Sequence, residues 1–435
     1  MQSVTLTVAI IFATLTLALP PAYALAAYIA ALLWYPYYLA VSVGAFELLM
    51  GRMVVSVLLL RCVLDNNIRS KFVWCRLDTW VSLCILVCVT VGLIYFKLPF
   101  SDRLINRGGF VMDTWCAYLA CRFILTNWTR LVTVIKSISI LLVPLAILGA
   151  IESVTGWRPF YVLWYLSPWF RVTSALQLRW GLSRAVGPFG VPILFGINFG
   201  LFLPLIYYLR HEKKWHYWAY VLFGISLIGG LSSMSSGPWV MALVVIFCLI
   251  MERNKRWVKT MILLFLLLCI FTQLGSNRPF YHVVVSYANP LGGAGWHRAR
   301  LIDVAIDHFH EWWLTGYGDQ DPGWAHYFGM DHTDVTNEFI LMGVRYGIWG
   351  MIGLIAVLVV AFRRVISTYK KVKVPELKSL CWSCGTILFA VIITWMSVSF
   401  FGQLSTLFYC VLGMIGSLSH KRFVWNVPKR IMASK

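Results

Sequence analysis

Long apolar runs separated by short polar breaks recur along nearly the whole chain. A helix needs about 17–25 mostly apolar residues to cross a hydrocarbon core of about 30 Å. Runs of this kind fall at 4–19, 22–42, 46–64, 78–96, 110–126, 132–151, 190–209, 216–232, 236–251, 257–275, 337–362, 379–399 and 402–419. The run at 46–64 carries Glu47, Arg52 and Arg61, which suits a segment lying partly in the interface, so the pattern predicts about twelve spans. The expected fold is all-α: a polytopic transmembrane helix bundle forming a single integral membrane domain over 1–435. Met1 to Leu19 has no basic region ahead of its apolar stretch, and a second run follows directly after Pro20 and Pro21. It reads as a first span and not as a cleaved signal.

Composition sharpens this picture. The chain is 60% hydrophobic and only 12% charged, with a mean hydropathy of +0.76, which excludes a soluble fold. A net charge of +20 would point to nucleic acid in a soluble protein, but the Lys and Arg residues gather between apolar runs, where they act as topology signals and contact anionic headgroups. Nucleic acid is therefore not an expected partner; membrane lipid is. Most of the eleven cysteines lie inside apolar runs, where Cys behaves as a small hydrophobe. Cys381-x-x-Cys384 opens an expected span without a second pair, a weak zinc or redox signal. No disulfides are expected.

Charge also orients the bundle. The clusters at 210–214, 252–259, 363–373 and 421–435 belong on the cytoplasmic side by the positive-inside rule. Alternation then places 152–189 and 276–336 outside, together with the short loop 97–109, whose Lys97, Arg103 and Arg107 run against the rule. The expected location is a plasma (inner) membrane, with 276–336 as a large extracytoplasmic loop. The two long outer segments contain Arg158, Arg171, Arg179, Arg184, Arg278, Arg298 and Arg300 but no lysine. A guanidinium group offers a rigid donor fork that grips phosphate or carboxylate at two points, whereas an ammonium is a point charge. Arginine concentrated where topology disfavours positive charge points to an anionic ligand; snorkelling to headgroups is the plainer alternative for any one of them.

Ionisable chemistry collects in 276–336, which has six of the nine histidines and seven of the seventeen acids. Residues 297–313 read as a helix with Leu301, Val304, Ala305, His308 and Trp312 on one side and Asp303, Asp307 and Glu311 on another, ending at Gly316-Tyr-Gly318. A solvated face is the expected role of Asp307 and Glu311. No ligand spacing of the HExxH kind appears among the histidines, and no metal is expected.

The chain then re-enters the membrane at Thr336-Asn337-Glu338. Arg345 lies about 12 Å along that helix and should face the bundle interior or a hydrated cavity with a partner. Gly343, Gly347 and Gly350 leave one side of the helix small. Asn337, the nine residues Glu338 to Tyr346, and Gly347-Ile-Trp-Gly350 form a spaced motif. Arg184-Ala-Val-Gly-Pro-Phe-Gly190, Arg298-Ala-Arg-Leu-Ile-Asp303 leading to Gly318-Asp319, and Ser235-Ser-Gly-Pro-Trp239 accompany it. In these stretches, and in layout over roughly 130–420, the chain resembles the bacterial O-antigen ligase/polymerase family. Members of that family carry His-Asn, nine residues and Gly-x-x-Gly at the end of a large periplasmic loop; the family His falls on Thr336.

The resemblance implies transfer of a glycan from a polyprenyl-diphosphate carrier to an acceptor hydroxyl at the outer membrane boundary, with no cofactor, nucleotide sugar or metal. Glycan or lipid would be the acceptor, and a chain-length regulator or flippase a possible protein partner. By matching, Arg184 and Arg298 stabilise the charge left on the diphosphate, with Arg300 as the alternative to Arg298. Arg179, Asn337, Thr336, Arg345 and Asp319 join them as substrate-binding candidates. The base that takes the acceptor proton, a His in the ligases, would pass from Thr336 to Glu338, His332 or Asp334, or the site would lean on positioning and electrostatics instead. Two other classes compete. A polyprenyl-phosphate-sugar glycosyltransferase usually needs an acidic pair in its first large outer loop, where this chain offers only Asp102 and Asp113. A flippase of lipid-linked oligosaccharide should show internal repeats and paired broken helices, and no repeat is seen.

Overall fold

The computed structural model describes residues 2–43, 46–164, 177–287 and 295–418. Arg171 and the basic tail 421–435 lie outside these residues. The chain opens with α1 (Gln2–Ala18) and α2 (Pro21–Trp34), then an antiparallel hairpin of β1 (Ala40–Val43) and β2 (Phe46–Leu49). Next come α3 (Met50–Leu64), the short α4 (Asn66–Arg69), α5 (Arg76–Tyr95), α6 (Phe100–Val111), α7 (Ala117–Ile124), α8 (Trp128–Thr155) and the single turn α9 (Tyr161–Trp164). A two-residue-strand hairpin, β3 (Leu178–Arg179) and β4 (Leu182–Ser183), precedes α10 (Pro192–Tyr208), α11 (His216–Leu231), α12 (Ser236–Arg253) and α13 (Arg256–Gly275). The remainder is α14 (Phe280–Tyr287), α15 (Gly295–Asp307), α16 (Phe309–Trp312), α17 (Glu338–Lys371), α18 (Pro375–Trp395) and α19 (Gln403–Leu418).

Among the described residues, seven helices are long and apolar enough to cross a membrane: α5, α8, α12, α13, α17, α18, and α10 with its short extension to His211. Shorter apolar helices occupy the ground of α1, α2 and α19. Proline at the first turn starts α2, α10 and α18, where a missing N–H costs nothing. Asn127 and Asn337 cap α8 and α17 by accepting backbone N–H bonds from the first turn. Helix α10 is nearly enclosed by its neighbours, whereas α13 buries none of its side chains, as suits a helix surrounded by hydrocarbon.

Three expected elements differ. The run at 22–42 stops being helical after Trp34, because Pro36 disfavours the helical region for Tyr35, and the chain turns into the β1–β2 hairpin. The loop expected at 97–109 is largely helix α6, continued through a π-helical turn at Met112–Cys116 into α7. The helix expected over 297–313 breaks at His308 (φ −98°, ψ 18°) into α15 and α16. Its faces hold: Leu301, Val304, Ala305 and Trp312 are buried, and Asp307 and Glu311 are exposed.

The core includes one buried ion pair, in which Arg122 Nε and Nη2 donate to Asp78 at 2.7 and 3.0 Å and Tyr118 donates to the same carboxylate. Such a pair is tolerable only because every charge is met. The two ends of the bundle differ. At one, Arg210 pairs with Glu252, and Lys255 and Lys378 lie over the Tyr369 ring. At the other, Lys97 N–H bonds Asp319, Ala185 N–H bonds Ser232, and Asn337 bonds Met396, which gathers 96–100, the 184–190 stretch, the α11–α12 turn and the α17 mouth.

Candidate functional site

The 184–190 stretch is pinned to the end of α8. Glu152, 1% exposed, accepts backbone N–H bonds from Val186 and Gly187 at 3.1 and 3.0 Å and lies 3.4 Å from Arg158 Nε. Gly187 sits at φ +48° against the Phe195 ring, a place where a Cβ would collide at 2.7 Å. Ala185 N–H bonds Ser232 O, and Arg184 Nη2 donates to Ser235 Oγ at 2.8 Å. Two stretches singled out in the sequence, Arg184–Gly190 and Ser235–Trp239, therefore meet. Sequence reasoning did not anticipate Glu152 as the anchor, since an acid at the end of an apolar helix carries no pattern of its own.

Around this anchor four arginines are linked electrostatically: Arg184 feels Arg179 and Arg158, and Arg298 feels Arg179. Burial pushes the Arg184 guanidinium down to about 10, and the charges of Arg179 and Arg158 add to the effect. Arg298, from α15, is lowered by burial and then by Arg179, while Asp334 acts in the opposite sense. Of these four, Arg158 alone has a carboxylate within ion-pair distance among the described residues; Arg179, Arg184 and Arg298 have none. The Nε atoms of Arg184 and Arg298 are buried without a hydrogen-bond partner. Arg300 is not part of this group: it lies 4.0 Å from Asp303 on its own helix and over the Tyr327 ring. His297 is a neighbour that sequence reasoning passed over. It is 4% exposed and packs on Phe328, and burial lowers its pKa, with Asp334 opposing and Arg298 assisting.

The mouth of α17 is the second constellation. Asn337 Oδ1 accepts from Phe339 N and Ile340 N while its Nδ2 donates to Met396 O at 3.2 Å. Glu338 accepts from Phe400 N–H at 2.8 Å, and Thr336 Oγ1 is buried without a partner. Asn337 thus fixes the entry of the helix, and Glu338 ties it to the α18–α19 turn. Asp319, placed among the binding candidates, accepts from Lys97 N–H at 2.9 Å, a bond that lowers its pKa and anchors the 96–98 turn. His332 is exposed beside Asp321.

The glycine motif has a definite structural role. Gly347 takes φ +71°, ψ −176°, which breaks α17 in two. The bond that should join Ile348 N to Val344 O is replaced on both sides by the 313–317 turn: Ile348 N donates to Trp313 O at 2.7 Å, and Tyr317 N donates to Val344 O at 2.6 Å. A Cβ on Gly347 would lie 2.4 Å from Leu314 O, and one on Gly316 2.6 Å from Val344 O. The two glycine motifs are the two halves of one backbone contact, and the freed polar groups are satisfied as a buried break requires.

Beside this break lies a cavity of about 780 Å³, lined by α2, the β1–β2 hairpin, α3, α6, α17, the α18–α19 turn and α19. Glu338 and Arg345 both line it; Arg345 is exposed to it, with the Glu338 carboxylate as its electrostatic partner. Of the other expected site residues, none of the four clustered arginines lines it. Among the described residues, no three His, Cys, Asp or Glu side chains converge as a metal site.

Helices of this length and composition make the chain an α-helical membrane protein, with arginines and a cavity at one end of the bundle. No protein-family model matches the chain, and no curated protein matches it either.

Proposed function

We propose that the protein is a membrane glycan polymerase or ligase, of the kind used for O-antigen, exopolysaccharide or capsule, transferring a glycan from a polyprenyl-diphosphate carrier to an acceptor hydroxyl at the extracytoplasmic face of the plasma membrane. The observation that carries this reading is the arginine cluster: Arg184 and Arg298 both feel the charge of Arg179, and none of the three has a carboxylate within ion-pair distance among the described residues, Asp334 alone acting on Arg298 at longer range. Mutually repelling, half-buried guanidinium groups are costly unless an anion joins them, and a diphosphate supplies both charge and acceptor oxygens. In the reaction, the acceptor oxygen bonds to the anomeric carbon as the bond from that carbon to the diphosphate breaks. The electron pair stays on the diphosphate, where the guanidinium groups stabilise it, and the acceptor proton passes to Glu338. No metal or cofactor enters the scheme.

The residues assigned to the charge are Arg184 and Arg298, with Arg179 beside them; the Asp303 pairing of Arg300 leaves it a minor role. Arg184→Lys and Arg298→Lys each keep a charge but lose the fork, so transfer by purified protein should fall roughly a hundredfold while Arg300→Lys stays near wild type. Full activity in both Lys variants would defeat the reading in favour of headgroup snorkelling. The rival transporter reading predicts glycan moved between leaflets with its chain length unchanged.

A further inference from the structure

The cavity beside α17 differs in charge from the arginine cluster. Its walls carry four carboxylates, Glu47, Asp102, Asp113 and Glu338, against the three guanidinium groups of Arg52, Arg107 and Arg345. Two of those cations are already engaged: Arg52 grips Asp113 with bonds of 2.6 to 3.1 Å, and Arg107 donates to Tyr346 Oη at 2.8 Å and to Asn106. The cavity has no surplus of positive charge and is a poor seat for a diphosphate. The rest of its wall mixes aliphatic and neutral polar residues with aromatic ones, among them Tyr37, Trp395 and Phe401. Two donors on the wall are unmet: Gln403 Nε2 and Trp395 Nε1 belong to residues only 4% and 2% exposed, and neither has a hydrogen-bond partner. Buried donors without acceptors cost free energy unless a ligand supplies the acceptors.

We propose that this cavity is a saccharide subsite that takes the uncharged sugar end of the acceptor, a proposal that rests on the transfer reading above for the word acceptor and on the cavity alone for the sugar. Sugar hydroxyls accept from Gln403 and Trp395 and donate to Glu338, while the C–H faces of the rings pack on Phe401, which is exposed at the wall. Asp334, in the electrostatic neighbourhood of Arg298, is followed four positions later by Glu338 at the cavity. Even fully extended, four residues span no more than about 14 Å, so the arginine cluster and the cavity are close neighbours along this segment. The geometry suits a donor phosphate on one side of residues 334–338 and an acceptor sugar on the other.

The test uses the full chain in lipid nanodiscs and two probes: a panel of phosphate-free oligosaccharides, and inorganic pyrophosphate, each titrated by calorimetry. Phosphate-free oligosaccharide should bind, and Phe401→Leu should weaken it roughly tenfold while Phe401→Tyr retains it. Arg184→Lys and Arg298→Lys should leave sugar binding unchanged and weaken pyrophosphate. Because Phe401 is exposed, its variants should fold, and retained pyrophosphate binding in the same samples checks that they have. Absence of sugar binding in the wild type overturns the proposal, as does equal binding in Phe401→Leu. Sugar binding of the expected pattern without any transfer from a lipid-linked donor would leave the subsite standing and remove the transfer reading; transfer that is indifferent to Phe401→Leu together with unaltered sugar binding would do the reverse.

Discussion

At the arginine cluster, Arg179, Arg184 and Arg298 stand without carboxylates, and burial with mutual repulsion lowers the pKa of Arg184 and Arg298. In the neighbouring cavity, Arg52 is gripped by Asp113 and Arg107 by Tyr346 and Asn106, and the unmet groups are neutral donors on Gln403 and Trp395. Both regions sit at one end of the same bundle, yet one is short of negative charge and the other of neutral acceptors. A guanidinium group with a carboxylate partner, such as Arg122 on Asp78, holds the fold together; on the proposed reading, one without such a partner waits for a ligand. Under that reading, pairing status more than residue type separates structural arginines from candidate binding ones.

The comparison breaks most visibly at Glu338, where the two regions meet. Glu338→Gln keeps the bond from Phe400 N–H but removes the basicity, so transfer should fall by about a hundredfold or more with sugar binding retained; an unchanged rate across pH would release Glu338 from the role of base. Thr336→His in the same assay should restore part of the loss in the Gln variant if this position keeps the ligase geometry, and no gain would mean that the geometry has diverged as well.

Replacing Arg184 by Lys tests the cluster through pH. With a folded pKa of about 10, the Arg184 guanidinium stays charged throughout the physiological range. The same burial and the same neighbours acting on a lysine amine lower its pKa to a pH below the ordinary value of about 10.4. Its charge is then fully present below that pH and is lost as pH rises through it. Pyrophosphate affinity of Arg184→Lys, already below wild type near pH 6.5 for want of the fork, should therefore fall further, by roughly tenfold, as pH rises to 9, while the wild type stays flat. A flat profile in the variant would mean that no anion is held at Arg184.

Smaller effects separate the scaffold from both regions. Asn337→Ala removes the cap of α17 and the bond to Met396 and should cost about 1 kcal/mol of stability, read as a lower thermal midpoint in detergent, without altering pyrophosphate affinity. Asp319→Asn weakens the anchor to Lys97 N–H. Its carboxylate pKa is lowered by that bond, so its contribution is present above the ordinary carboxyl range and lost as pH falls; the variant should lose a few tenths of a kcal/mol at pH 7 and almost nothing near pH 3.

Much of the scaffold was legible in apolar run length, because a spanning helix must satisfy its own backbone and expose nothing polar to lipid. What the run length missed is telling. Residues 22–42 are apolar throughout, yet Pro36 ends the helix near Trp34, and hydropathy does not see a backbone preference. Helix α6 was hidden by Arg103 and Arg107, which made an amphipathic segment look like a loop. Of the candidate site, Arg184 and Arg298 both lie within electrostatic reach of Arg179, and Glu338 and Arg345 share a cavity. The exclusion of Arg300, the anchoring role of Asp319 and the docking of Gly316 against Gly347 depend on contacts between distant segments, which no local pattern encodes.

The central claim is that glycan is transferred from a lipid diphosphate, and one mass measurement addresses it directly. Purified protein reconstituted in vesicles is given polyprenyl-diphosphate-linked glycan and an acceptor glycan from the outside only, and the products are weighed. The account predicts an acceptor enlarged by the mass of the donor glycan together with free polyprenyl diphosphate, both strongly reduced with Arg184→Lys. Donor and acceptor recovered at their starting masses, whether outside or inside the vesicles, would contradict it.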